Sequence, residues 1–201
     1  MPAAPRSTAQ SRYRTAAATL QRDTTLDAVR ELLRERNWRS VTMNDVAAAA
    51  GLSRQTIYNE FGSRRGLAQG YAMRLTDSFV SVVDAALYQH VGDVGAALRQ
   101  GFTTFFALSV VDPLVMSLHG PDAPDDLLRL ITTDSDVLIE RAGTHMSDTL
   151  QNCWVEAPKH KADIVSRAIV RLALSYVPRP PVDPEAAAGE LSELLAPYLL
   201  G

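Results

Sequence analysis

Two short helical segments joined by three residues are the feature that most constrains the fold of this chain. The first segment, "MNDVAAAA", follows Thr42, and Asp45 stands three residues after Thr42 as in a capping box. Gly51 can adopt the left-handed backbone that ends a helix, and Ser53 is a favourable N-cap for a second helix over Arg54–Phe61. Two short helices around such a turn are typical of a helix-turn-helix, although they also occur in helical proteins that do not bind DNA.

The second short helix has a buried face and a polar face. At 100° per residue, Ile57 and Phe61 lie only about 40° apart and share the buried face. The polar residues on the other sides of the helix are Gln55, Thr56, Tyr58 and Asn59. Glutamine and asparagine can bond an adenine edge, threonine offers a hydroxyl or a methyl group to thymine, and tyrosine usually contacts a phosphate or a sugar. This face is therefore predicted to enter a major groove.

Arginines near this face are predicted to contact phosphate or base atoms. Arg64 and Arg65 lie in the first turn of the next helix, where backbone N–H groups and a cation together suit a phosphate, and Arg54 can reach a guanine or a phosphate. Glu60 lies about 60° from Ile57, toward the interior edge, so its charge is not expected to face the groove. The candidate DNA contacts are Thr42, Ser53, Arg54, Gln55, Thr56, Tyr58, Asn59, Arg64 and Arg65.

The net charge of −3 hides an uneven distribution along the chain. Residues 1–74 carry 12 arginines against 6 acidic residues, whereas residues 75–201 carry 8 basic against 17 acidic residues. A phosphate backbone attracts local positive charge rather than the average charge of a protein. Only the first third of the chain is therefore expected to meet a polyanion.

Composition excludes several classes of protein. Apolar residues make up 46% of the chain, which is enough for a packed core. The stretch freest of charge, 100–111, is shorter than the roughly 18 residues that cross a bilayer. No apolar segment follows Arg6, Arg12 and Arg14, so a secretory signal is not recognised and a soluble, cytoplasmic protein is expected. Cys153 has no partner for a disulfide and is expected to be a small buried residue.

The remaining pattern predicts an all-α fold. We divide the chain into a flexible basic arm (1–22), a helix-turn-helix DNA-binding domain (23–67) and a larger ligand-binding and dimerisation domain (68–201), and find no strand with clear alternation. Beyond the first helix, which closes near Asn37, and the two short helices, the predicted helices cover about 64–88, 92–108, 124–131, 134–156, 159–176 and 184–200.

The segment Thr42–Leu67, "TMNDVAAAAGLSRQTIYNEFGSRRGL", resembles the N-terminal signature of the TetR family of transcriptional regulators. The matching features are the threonine cap, "VA", "AGLS", the Thr-apolar-Tyr triplet, Phe61, and a cation followed by leucine at Arg64 and Leu67. The family usually has lysine where Arg64 stands and often histidine or tyrosine where Glu60 stands, so no DNA contact is carried over to Glu60.

This resemblance implies a homodimer that binds an operator with dyad symmetry, most often as a repressor, and that dissociates when a small molecule occupies the larger domain. It also implies that the helices at 159–176 and 184–200 form a four-helix dimer interface. Their apolar stripes fit this role but equally fit packing within one chain. The stripes consist of Ile164, Ala168, Leu172 and Ser175 on the first helix and Leu191, Leu194, Leu195 and Tyr198 on the second.

The effector can only be inferred from local chemistry and from the C-terminal pattern. A largely apolar cavity is predicted, and the pattern looks like that of actinobacterial members linked to lipid or alkane metabolism, which implies a long-chain fatty acid or acyl compound. Arg141 can face a carboxylate or lie in solvent, and each apolar residue can equally belong to the core. The candidate ligand contacts are Phe102, Phe105, Phe106, Met116, Leu138, Arg141 and Met146.

Neither a metal site nor a catalytic site is predicted. His145 and Asp148, with His119 elsewhere, do not make a closed set of metal ligands. The chain also has no phosphate-binding glycine loop, nucleophile elbow or metalloprotease helix, and we predict no cofactor. The alternative to a regulator is a helical acyl-binding protein or a hydrolase with a histidine base, which leaves the basic first third unexplained.

Overall fold

The computed structural model describes residues 6–200 of the chain, with side chains described at residue 12 and from residue 15 onward. These residues form ten α-helices and one short 3-10 turn, and they contain no strand. The all-α prediction is therefore confirmed for the described residues. The chain divides into two compact units, Met1–Gly70 and Tyr71–Gly201.

The first unit is built on a small core beneath two short helices. Its buried side chains include Leu26, Val29, Trp38, Val46, Ile57 and Leu67. The fourth helix contains the division between the two units. The helices of this part of the chain are α1 (Arg6–Glu35), α2 (Met43–Ala50), α3 (Arg54–Phe61) and α4 (Arg64–Gln89), with a 3-10 turn at Trp38–Ser40 before α2.

Helix α1 begins earlier than the sequence pattern predicted. The proposed arm at residues 1–22 is helical from Arg6 onward, and residues 1–5 lie outside the described part. The side chains described between Arg12 and Leu20 are exposed. Alanine, glutamine, arginine and leucine favour a helix even without an apolar stripe, and periodicity reports burial rather than helicity, so this segment was misassigned.

The junction of α3 and α4 depends on a glycine inside α4. A Cβ atom added at Gly66 would lie 2.0 Å from the carbonyl oxygen of Phe61. Ser63 opens this turn, and its Oγ accepts a hydrogen bond of 3.1 Å from the Gly66 N–H. Only glycine allows the end of α3 and the first turn of α4 to come this close.

The second unit contains the rest of α4 and six further helices. The predicted helices from 92 to 200 are all present, with bounds that agree within a few residues. The 3-10 turn and the short helix that begins at Pro113 were not predicted. The helices are α5 (Val94–Ser109), α6 (Pro113–Met116), α7 (Asp125–Ile131), α8 (Asp136–Asn152), α9 (Lys159–Tyr176) and α10 (Pro184–Leu200).

The core of the second unit joins α4, α5, α8, α9 and α10. The main helix pairs are α5 with α10 and α8 with α9. Cys153 is buried in this core and has a free thiol, as expected from its lack of a partner. No helix within the described residues combines the length and apolarity needed to cross a bilayer. The largest core side chains include Phe79, Leu87, Phe102, Phe106, Met146, Leu150 and Ile169.

Candidate nucleic-acid interface

The caps of α2 and α3 fix the geometry of the two short helices. Thr42 and Asp45 form the predicted capping box, in which the Asp45 N–H donates to Thr42 Oγ1 (3.2 Å) and Asp45 Oδ2 accepts from the Thr42 N–H (2.9 Å). Gly51 has the expected left-handed backbone, with φ 66°. Ser53 Oγ then accepts from the Thr56 N–H (3.1 Å) at the start of α3. Each end of the turn therefore satisfies its backbone groups with local partners.

The capping hydrogen bonds also favour the ionised form of the Asp45 carboxylate. The hydrogen bonds from Thr42, followed by the nearby Arg36, hold the pKa of Asp45 below its ordinary value. The hydroxyl of Thr42 donates to Asp45 Oδ2 at 2.7 Å, and those of Ser53 and Thr56 lie 2.8 Å apart. Thr42 and Ser53 are exposed, so both can still approach a phosphate while they cap a helix.

Helix α3 is buried along the predicted face. Ile57 is fully buried and Phe61 nearly so, whereas Gln55 and Asn59 are exposed on the opposite side. Tyr58 is half-buried at the flank. The helix therefore presents its polar residues outward, as the count of 100° per residue predicts.

Two side-chain pairs order this outward surface. Gln55 Nε2 donates to Asn59 Oδ1 at 2.7 Å. One turn along the flank, the Arg54 guanidinium lies over the Tyr58 ring at 5.1 Å and donates weakly to its hydroxyl at 3.4 Å. The amide pair leaves Gln55 Oε1 as an acceptor and Asn59 Nδ2 as a donor. An adenine edge in the major groove presents the complementary pattern, with N6–H as donor and N7 as acceptor.

The acidic residue of this segment faces away from the outward surface. Glu60 Oε1 accepts from Arg22 Nη1 of α1 at 2.6 Å, and the Arg22 guanidinium also lies 5.0 Å from the centre of the Phe61 ring. This ion pair neutralises Glu60 locally and ties α3 to α1. The prediction that its charge is not aimed at a groove is consistent with this contact.

Arg64 lies differently from the prediction. Its Nε donates to the Val41 carbonyl at 3.1 Å, Nη2 donates to the Trp38 carbonyl, and the guanidinium stacks 4.3 Å from the centre of the Trp38 ring. The side chain is half-buried, whereas that of Arg65 is exposed. This arrangement could not be predicted from local sequence patterns, because it pairs residues 26 positions apart.

Most of the predicted ligand contacts lie in the packed core of the second unit. Phe102, Phe106 and Met146 are buried there, and Phe105 packs against them half-buried. Aromatic rings continue the cluster, with Phe105 4.5 Å from Phe79 between ring centroids. The structure thus brings these four predicted residues together, in contact with one another or with the same core.

The remaining predicted ligand contacts do not join this aromatic cluster. Met116 is 54% exposed at the end of α6, and Leu138 is buried on α8. Arg141 makes a bidentate ion pair with Asp77 of α4 at 2.6 and 2.8 Å, and the hydrogen bond to Asp77 raises the pKa of Arg141 further. The guanidinium of Arg141 is therefore paired with a carboxylate of the protein itself.

A groove of about 710 Å³ lies between α5 and α10. Its lining combines charged residues such as Arg99 and Glu185 with apolar residues such as Ala196, Pro197 and Leu200. None of the seven predicted ligand contacts is among its lining residues. The groove is therefore not formed by the side chains that were predicted to contact a ligand.

The histidines considered as metal ligands have protein partners. His145 Nε2 lies 3.2 Å from Asp84 Oδ2 of α4, and His119 Nε2 lies 3.1 Å from the Val177 carbonyl oxygen. Asp148 is exposed on α8. Across the described residues, no group of three histidine, cysteine or acidic side chains is arranged to hold a metal ion.

Helices α9 and α10 leave an apolar surface exposed in the single chain. Ile164 of α9 is 47% exposed, and Leu194 and Tyr198 of α10 are 67% and 44% exposed. Leu191 and Leu195 are buried instead, so the predicted stripe of α10 divides between the core and the surface. Large exposed apolar side chains on two adjacent helices are typical of a protein–protein contact.

Family models match both parts of the chain. The model described as "Bacterial regulatory proteins, tetR family" matches residues 26–71. The model described as "Bacterial Tetracyclin repressor, C-terminal domain" matches residues 93–197. Together these ranges cover most of the chain and include every predicted DNA contact.

Two similar proteins share a name. The HTH-type transcriptional regulator AlkX of Mycobacterium tuberculosis is 51% identical over 186 residues, covering 92% of this chain and 88% of that protein. The crystal structure of the TetR family repressor AlkX from Dietzia sp. strain DQ12-45-1b, implicated in biodegradation of n-alkanes, is 42% identical with a TM-score of 0.82 and covers 89% of this chain and 95% of that chain.

A more distant structure shares the fold alone. The TetR-family transcriptional regulator from Pectobacterium atrosepticum is 17% identical, with a TM-score of 0.61. It covers 92% of this chain and 94% of that chain.

Proposed function

The chain belongs to the TetR family of bacterial transcriptional regulators, and from this membership we propose that it represses its target genes as a homodimer on a palindromic operator. A small hydrophobic effector, such as a fatty acid or acyl compound, would release it from the DNA. The observation that carries the proposal is the outward amide pair of α3, held on a helix that is capped and buried on its other face.

The enzyme alternative is set aside on family membership. TetR-family proteins are transcriptional regulators rather than enzymes, and both ends of this chain match family models. An acyl-binding protein without DNA binding would leave the basic first third of the chain unexplained. A cytoplasmic location is proposed with the same function, since the operator lies on bacterial DNA.

We assign base reading to α3. Gln55 and Asn59 would contact base edges, with Thr56 and Tyr58 beside them on bases, sugar or phosphate. Arg54, stacked on Tyr58, would reach a phosphate or a guanine without first losing the rotamer freedom of a disordered side chain. Such an ordered surface favours binding because less conformational entropy is lost when DNA arrives.

We assign phosphate contact to the N-terminal ends of α2, α3 and α4. Arg65 is exposed in the first turn of α4, where backbone N–H groups also favour an anion. The exposed capping residues Thr42 and Ser53 would add hydroxyl contacts. Contacts of this kind hold the protein in register on the duplex and make affinity depend on salt.

The effector proposal extends the chemistry of the relatives to this chain. Dietzia AlkX is implicated in n-alkane biodegradation, and the second unit of this chain has a largely aromatic and aliphatic interior around α5 and α8. A long apolar ligand would enter this interior by separating side chains such as Phe102, Phe105, Phe106 and Met146. Binding would favour a conformation in which the two reading helices of the dimer no longer match successive major grooves.

The central experiment is a binding titration with DNA that the protein itself selects from a random pool. Dissociation constants would be measured for the selected duplex and for a scrambled duplex of equal length, over a range of salt concentrations. We expect Gln55→Ala to lose about 1–3 kcal/mol of discrimination at one base position and Arg65→Ala to reduce the salt slope by about one. Gln100→Ala is the matched control, because Gln100 is an exposed helical glutamine bonded to Thr104 in the second unit.

The same assay tests the effector. Fatty acids, acyl-CoA esters and n-alkanes of matched chain length would be added to the preformed complex. Release by one class of compound, at concentrations that do not change binding to the scrambled duplex, supports the proposal and identifies the chemical class of the effector. Retention of the complex with all three classes would contradict the effector assignment while leaving DNA recognition intact.

A further inference from the structure

The segment Trp38–Val41, just before α2, contacts the side chain of Arg64. Trp38 is fully buried and Val41 nearly so, although both belong to the short connection between α1 and α2. Asn37 caps the 3-10 turn by accepting from the Arg39 N–H at 2.9 Å, and Thr42, the next residue after Val41, caps α2. Any shift of this segment therefore moves the start of α2.

Arg64 connects this segment to the other end of the motif. It is the first residue of α4 and follows α3 after only Gly62 and Ser63. Its guanidinium bonds the carbonyl oxygens of Trp38 and Val41, and its flat face covers the indole of Trp38. One side chain therefore links the residues just before α2 to the residues just after α3.

The chemistry of this contact requires arginine. A guanidinium can donate from two nitrogen atoms in one plane while the face of that plane stacks on an aromatic ring. A lysine ammonium has the same charge but lacks both the plane and the fork, so it cannot make the three contacts together. Two N–H groups of Arg64 point at protein carbonyls, so contacts within the protein set the orientation of its guanidinium.

We infer that Arg64 is a positioning residue for operator recognition, which fixes the placement of α2 and α3 through the Trp38–Val41 segment instead of neutralising a phosphate. The inference rests on the proposed reading of DNA by α3. It predicts that sequence discrimination depends on Arg64 more than general affinity for DNA does, because non-specific binding needs charge but not an exact helix placement.

The test separates geometry from charge with the conservative variant Arg64→Lys. Affinity would be measured on the self-selected duplex and on the scrambled duplex, in a salt series, together with the thermal unfolding midpoint. We expect about tenfold weaker binding to the selected duplex, corresponding to loss of one charge-assisted bond, with unchanged binding to the scrambled duplex and an unchanged salt slope. Arg129→Lys, at an exposed arginine of α7 that pairs with Asp134 outside the proposed DNA contacts, is the control and should keep the wild-type ratio.

A second variant keeps the inference testable if Arg64→Lys unfolds. Trp38→Phe retains an aromatic face and leaves both carbonyl acceptors in place, so it should lower the ratio of selected to scrambled affinity by a smaller factor. A phosphate contact would instead give wild-type binding for Arg64→Lys and a salt slope reduced by about one for Arg64→Ala. That result, or a lower melting midpoint with an unchanged affinity ratio, would overturn the inference.

The wild-type protein distinguishes this inference from the function on which it rests. If it binds the selected and scrambled duplexes equally, operator reading itself fails, and the inference about Arg64 fails with it. If it discriminates between them and Arg64→Lys discriminates equally well, only the positioning role is lost.

Discussion

The stability of the start of α2 depends on pH through the carboxylate of Asp45. Its pKa is lowered by hydrogen bonds from Thr42 and by Arg36, so the ionised form is the one that the fold stabilises. A depressed pKa contributes stability above the unfolded pKa of about 3.9, and this contribution disappears as pH falls through the folded pKa.

We expect Asp45→Asn to lower the thermal unfolding midpoint near pH 7 and to approach the wild type as pH falls through the lowered pKa of Asp45, where the wild-type carboxylate becomes protonated as well. Circular dichroism melts over a pH series measure this difference. Asp148→Asn, which changes an exposed acid on α8, is the control and should leave the midpoint unchanged at every pH. An Asp45→Asn deficit that persists unchanged at low pH would contradict the role of the charge.

Gly66 gives a prediction that depends on sterics alone. A Cβ atom at this position would meet the Phe61 carbonyl oxygen at 2.0 Å, so Gly66→Ala must displace the end of α3. We expect a loss of several kcal/mol in unfolding free energy, which is typical of backbone overlap, measured by chemical denaturation. Gly189→Ala is the matched control in α10, where the nearest atom to the added Cβ is 3.6 Å away in Arg99. The control should be neutral or gain up to about 1 kcal/mol from helix propensity.

At the scale of elements, helices were predicted well wherever helix-breaking residues such as proline bounded an apolar stripe. Helices α9 and α10 were predicted at the residues that the structure shows, because Pro158 and the proline-rich connection before Pro184 interrupt the pattern. Helix α6 was missed because it has only four residues and begins at Pro113, which reads equally well as a break.

The candidate site was predictable to the same extent. Caps and helix faces follow from neighbouring residues, so Thr42, Gly51, Ser53 and the faces of α3 could be predicted. The contacts of Arg64 with Trp38 and of Arg141 with Asp77 join distant parts of the chain. Helical periodicity carries no information about such pairs. Arg64 was therefore predicted to contact a phosphate, and Arg141 was predicted to face a ligand carboxylate or solvent.

The N-terminal part of α1 should be dispensable for folding. Its described side chains are exposed up to Leu20, and burial begins at Thr25 and Leu26. A chain that lacks residues 1–15 is expected to keep the wild-type melting midpoint within about 2 °C, because the two side chains described in this segment, at residues 12 and 15, are exposed. Its salt slope on DNA should fall, since three arginines are removed. A midpoint lowered by more than about 5 °C would show that this part of α1 packs on the domain.

At the scale of the whole molecule, the proposed function requires two copies of the chain to bind one palindromic operator. A single α3 makes few base contacts, whereas a dimer joins two such helices and converts the second binding event into an intramolecular one. The exposed apolar side chains of α9 and α10 are the part of this chain that fits such a self-contact.

A charge placed on that surface should therefore abolish both dimerisation and operator binding. Leu194 is 67% exposed on α10, so Leu194→Glu removes little packing from the single chain but would bury a carboxylate in the dimer. We expect sedimentation to show monomers at concentrations where the wild type is dimeric, and at least tenfold weaker binding to the selected duplex. Val182→Glu is the control, because Val182 is fully exposed in the connection before α10. If Leu194→Glu stays dimeric while Val182→Glu dissociates, the interface lies on the connection rather than on the helices, and the implied four-helix interface is wrong.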